Sequence, residues 1–219
     1  MFACIGLLIA ACIKLIPKFT ISETIFKLYI FSVFPAYLLS VLWLKLPLWL
    51  HVIVIAAAIL QLLAWQKLFS SVYRAFKQPV TLLPTYIKFI LILIAIAYSS
   101  KLLLQLGSTI PEVSTLAFGF RPIVIAYLHL VLLGIISVFL LTYIMGFIFS
   151  ETGLSLKLFF MCFAAGVYLN EIALGAQGIA SLSYTLVPYM NHILLAVSLW
   201  MLVSLAGLLA CFKQHQLRA

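Results

Sequence analysis

The chain has 219 residues, 67% of them hydrophobic and 8% charged, with a formal net charge of +9. A soluble domain carries about 25% charged residues and about half apolar ones, so this composition excludes one. The positive balance reflects scarce acids: there is no aspartate, and the glutamates are Glu23, Glu112, Glu151 and Glu171. No basic stripe with interleaved aromatics accompanies it, so the expected partner is the lipid bilayer and not nucleic acid.

In chain order there are seven apolar segments: Phe2–Ile13, Ile25–Leu44, Trp49–Phe69, Ile87–Leu106, Pro122–Phe149, Leu156–Leu174 and Tyr189–Phe212. Backbone groups in lipid must be satisfied within the segment, so the pattern predicts helices. The expected fold is all-α: a polytopic transmembrane bundle of about seven helices, forming one domain over residues 1–219. The first segment has twelve residues before Lys14, against roughly 20 needed to span. Its positive charge comes after the apolar run, whereas a signal peptide carries charge ahead of it. The expectation is a truncated first helix, in a chain that is the C-terminal part of a longer twelve-helix protein. The linkers Ser70–Tyr86, with Pro79 and Pro84, and Gly107–Arg121, with Pro111 and Gly119, are long enough for surface features.

Lysines and arginines set the topology. One side collects Lys14, Lys18, Lys27, Lys67, Arg74, Lys77, Lys88, Lys157, Lys213 and Arg218; the other holds Lys45, Lys101 and Arg121. The positive-inside rule places the C-terminus in the cytoplasm. Cys4, Cys12, Cys162 and Cys211 sit in or beside apolar runs without a CxxC pair, and read as small buried hydrophobes.

Ionisable residues at membrane depth are costly, so each is a site candidate. His51, His192 and His215 stand at span ends or in the tail, where imidazole is cheaply solvated. His129 is different. It lies eight residues past Arg121, about 12 Å along a helix, in the outer half of a core about 30 Å thick. A neutral imidazole there needs a hydrogen-bond partner on another helix or a metal. Gly134, Ser137 and Gly146 on the same span allow close approach of a helix or a flat cofactor. Glu171, in Tyr168-Leu-Asn-Glu171 near the outer end of the sixth segment, reads as an interfacial hydrogen-bonding group or a proton carrier. Lys101 either snorkels outward or, with Arg121, holds an anionic group at the outer surface.

The segment Ala126-Tyr127-Leu128-His129-Leu130-Val131-Leu132-Leu133-Gly134 resembles the tenth helix of haem–copper oxidase subunit I. The family pattern there is His-aromatic-His, then glycine after a few apolar residues. The second histidine is an axial ligand of low-spin haem, and the first binds high-spin haem. His129 matches the second position, and Tyr127 stands where the first would be. If Phe2–Ile13 corresponds to the sixth family helix, the His129 segment becomes the tenth and the C-terminus falls in the cytoplasm. The chain departs from the pattern elsewhere. Ile25–Leu44, in place of the seventh helix, has no copper-ligating histidines, and Gly175–Pro188 lacks the propionate-binding arginine pair. The chain also looks like the C-terminal half of uncharacterised bacterial multi-pass proteins distantly related to that superfamily.

The resemblance implies a multi-pass protein of the bacterial inner (cytoplasmic) membrane that binds haem, lacks the copper site, and serves electron transfer or haem-based sensing. It implies His129 as the metal ligand and Arg121 and Lys101 as cations for the haem propionates. The second axial ligand would come from the missing N-terminal half, and an electron-transfer partner would be needed. Two alternatives stand beside this: a non-catalytic membrane bundle with His129 as a packing residue, and half of a transporter. The nearly aliphatic span middles argue against the transporter, which needs polar, broken helices at mid-membrane.

Overall fold

The computed structural model describes residues 2–15, 21–38, 47–76, 84–148 and 153–216. Helices account for its regular structure, and no strand occurs among the described residues. They are α1 (Phe2–Leu15), α2 (Glu23–Tyr37), α3 (Leu48–Phe76), α4 (Thr85–Gly107), α5 (Pro111–Gly119), α6 (Arg121–His129), α7 (Val138–Tyr143), α8 (Leu154–Leu182) and α9 (Met190–Gln216). Two π-helical stretches, Leu130–Ser137 and Ile144–Ile148, flank α7 and make one continuous rod from Arg121.

Each expected apolar segment begins or lies within a helix. Among the described residues, five helical rods are long and apolar enough to cross a bilayer: Leu48–Ala75, Thr85–Gly107, Arg121–Gly146, Leu154–Leu182 and Met190–Lys213. The chain is therefore a helical, multi-pass membrane protein. The segment expected over Ile25–Leu44 starts as α2, whose first turn is fixed by Ser22 accepting from the Thr24 N–H and by a Glu23–Lys27 ion pair at 2.7 Å. Its residues past Leu38 lie outside the described ones. So do Lys18, Lys45, Lys77, Pro79, Arg218 and Glu151, on some of which the charge count rests.

Three boundaries depart from expectation. The third segment continues from Phe69 to Phe76, where the Ser70 and Ser71 hydroxyls bond back to the Gln66 and Lys67 carbonyls. The linker before Arg121 contains a helix, α5. Pro111 at its first position and Glu112 in its first turn suit a helix start, because the proline lacks an N–H there and the carboxylate meets the positive helix end. The sixth segment runs to Leu182, eight residues beyond the expected Leu174.

The described residues fall into two compact units: Met1–Thr85 with Ala95–Gly119, and Tyr86–Ile94 with Phe120–Ala219. In the first unit α2 packs along α3, and Val54 and Ala58 meet Ala36, Leu38 and Leu106. The Trp65 indole donates to Ser99 Oγ at 2.8 Å and its ring lies 4.4 Å from that of Tyr98. In the second unit α8 packs chiefly against α9 and α6. Small residues permit that approach. A Cβ on Gly166 would lie 2.7 Å from Met201 Cγ, and one on Gly207 would collide with the Phe159 ring. A Cβ on Gly178 would touch Ile123 at 3.6 Å.

Candidate functional site

His129 closes α6, and the chain passes at once into the π-helical turn Leu130–Ser137. The ring is partly buried, and its Nδ1 lies 2.9 Å from the carbonyl oxygen of Ile125, one turn back. A carbonyl only accepts, so Nδ1 carries the hydrogen. In the neutral ring Nε2 then keeps its lone pair, available to a metal or a donor. An imidazole whose second nitrogen donates to a carbonyl is the usual arrangement of a metal-ligating histidine.

The π-helical stretch changes which residues share a face beyond His129. In an α-helix, residues five apart are turned about 140° from each other. Widening the turn to i→i+5 bonds brings such residues toward one face. His129 and Gly134, five apart, are related in this way. Gly134 is buried, and a Cβ there would lie 3.5 Å from Glu171 Cγ. The Tyr168 hydroxyl donates to the Gly134 carbonyl at 3.2 Å. The Ser137 hydroxyl donates to the Leu132 carbonyl at 2.9 Å, within the same stretch. Gly146 in turn makes room for Ile87, whose Cγ2 would lie 3.2 Å from an added Cβ. The small residues of this rod therefore serve helix approach on both sides.

Arg121 is the first residue of α6 and is exposed. A cation at a helix N-terminus is disfavoured by the helix dipole. Beside it opens a cleft of about 570 Å³, lined among others by Phe120, Gln177, Tyr184, Tyr189 and His192. Tyr184 and Tyr189 hold positive φ, 52° and 61°. Tyr184 ends α8 in a Schellman turn, with Thr185 N–H to Ala180 O at 3.0 Å and Tyr184 N–H to Ser181 O at 3.2 Å. Glycine is the usual residue at that position. Tyrosine instead sets its ring 5.5 Å from Phe120, edge to face. The sequence places His192 at a span end but carries no signal that Tyr184 shares a cleft with it.

Lys101 belongs to the first unit, whereas His129 and Arg121 belong to the second. It does not snorkel outward: the residue is 7% exposed and its ammonium donates to Gln105 Oε1, four residues on. Glu171 also departs from its expected place. With α8 continuing to Leu182, it lies eleven residues, about 16 Å, from the helix end and within one turn of the midpoint. The remaining histidines are at helix ends: His51 in the first turn of α3, His192 in the first turn of α9 and His215 in the last turn of α9. The four cysteines are free.

Comparison with protein families, with curated proteins and with solved structures returns no match.

Proposed function

We propose that this chain is a haem-binding integral membrane protein in which His129 Nε2 would hold the iron. The observation that carries the reading is the Nδ1–H donation from His129 to the Ile125 carbonyl, which leaves Nε2 as the free donor atom in a partly buried setting. Bound haem would supply one-electron chemistry, with electron transfer or sensing as its use. The chain's own contribution is to hold the imidazole in one tautomer and to exclude water with the aliphatic faces around it. Arg121, about 12 Å along the same helix, offers the cation for propionates. Its place at a dipole-disfavoured helix start suits a residue kept for an anion. Lys101 already meets Gln105 and has no part in this reading. Any further ligand to the iron would come from a segment or chain beyond the described residues. The reading includes a bacterial inner membrane and a cytoplasmic C-terminus; a reporter fused there and active only on the outer side would overturn that orientation.

The test is the absorption spectrum of the whole protein, made with ample haem and purified in detergent. The expected result is a low-spin haem spectrum that is lost in His129→Ala and retained, with a shifted midpoint potential, in Arg121→Ala. Absence of bound haem, or an unchanged spectrum in His129→Ala, would overturn the reading and favour His129 as a packing residue.

A further inference from the structure

Glu171 is the only carboxylate among the described residues of the second unit. It sits near the midpoint of a helix 29 residues long, in a rod apolar enough to span a bilayer. Its methylene packs toward Gly134, in the π-helical stretch, where the missing side chain leaves room for it. Its chain neighbour Asn170 is buried, and Oε1 of Glu171 is enclosed and has no hydrogen-bond partner. The Tyr168 hydroxyl, one turn earlier, is committed to the Gly134 carbonyl and not to the acid.

An enclosed carboxylate oxygen without a donor is among the most costly groups a membrane interior can hold. No cation among the described residues meets it. The titratable side chains on the elements packed against α8 are Arg121, Tyr127, His129, Tyr143, His192, Cys211, Lys213 and His215, with Tyr86 and Lys88 at the start of α4; on α8 itself there are Tyr168, Lys157 and Cys162. Arg121 stands at the helix start and Lys213 in the last turn of α9, and neither is hydrogen-bonded to the acid. The charge is therefore met by a ligand that needs no space, and a proton is the one that fits an enclosed oxygen.

We propose that Glu171 is a proton-binding site inside the bilayer. It takes up one proton to become the neutral acid and releases one proton to return to the carboxylate, with no other reactant. Gly134 is its positioning residue, because the bare backbone of the π-helical turn gives the carboxyl its place. The proposal is independent of haem: it stands whether or not His129 binds iron.

The test is labelling of the detergent-purified protein with a membrane-soluble carbodiimide, read by peptide mass. The reagent takes the acid proton onto nitrogen while the carboxylate oxygen adds to its central carbon, so the adduct forms only from the protonated acid. At neutral pH the expected result is an adduct at Glu171, at least tenfold above that at exposed Glu23 and Glu112, and absent in Glu171→Gln. Its yield should fall as the pH is raised and should not change with sodium. Gly134→Ala, whose Cβ makes an ordinary contact at 3.5 Å, should retain the adduct within about twofold; Gly134→Leu, which fills the space, should lose most of it. Tyr168→Phe should label like the parent. No adduct at Glu171 with the parent protein, or labelling independent of pH, overturns the proposal. Protection by sodium would also overturn it, by showing a metal cation as the occupant.

Discussion

The two units treat most buried polar groups alike and differ at two atoms of the second. In the first, Lys101 is met by Gln105 one turn on, Ser32 by the Tyr29 carbonyl, Thr109 by the Leu106 carbonyl, and Trp65 by Ser99 across on α4. In the second, Thr142 and Ser204 are met the same way, but His129 Nε2 keeps a lone pair and Glu171 Oε1 is enclosed and unmet. A charge satisfied within one helix turn is part of the scaffold. A donor or acceptor left open beside a π-helical turn is where a ligand or proton would bind, because π-helical turns recur at functional sites.

The largest effect separating the units should come from Lys101 and its partner. Gln105→Leu strands a buried ammonium, and should cost about 3 kcal/mol in an unfolding assay in detergent. The double change Lys101→Leu with Gln105→Leu removes both groups and should recover stability to within about 1 kcal/mol of the parent. A double variant as unstable as the single one would show that Lys101 does more than satisfy its neighbour.

Helix approach in the second unit should give the next effect. Gly207→Val pushes into the Phe159 ring between α8 and α9 and should destabilise by about 2 kcal/mol, measured in the same assay. A neutral result would mean that the ring moves aside. The smallest effect should be Trp65→Phe, which keeps most of the ring and loses the bond to Ser99. Hydrogen bonds between membrane helices average about 0.6 kcal/mol, and a loss of that order is expected.

Much of the fold was legible because lipid leaves the backbone one economical choice: long apolar runs became helices. What escaped the sequence had local physical causes. Gly175, Gln177, Gly178 and Ser181 dilute the hydropathy past Leu174, yet the helix continues because Gly178 gives Ile123 room to pack. That continuation moves Glu171 from the expected outer end to the middle. The start signal of α5, Pro111 followed by Glu112, was readable but stood in a stretch too short and polar to resemble a span. The π-helical turns carry no residue signature. The small size of Gly134 is legible, while its relation to Glu171 and to His129 depends on the wider turn. The partner that keeps Lys101 inside, Gln105 one turn on, is legible in the sequence.

Ligation of a metal by the open nitrogen of His129 is the claim on which the functional reading turns. The most direct measurement is pulsed electron paramagnetic resonance of the ferric protein, made with isotope-labelled histidine. The expected result is a hyperfine coupling from a histidine nitrogen on a low-spin haem that is lost in His129→Ala. A bound haem without that coupling, or the same coupling in His129→Ala, would contradict it.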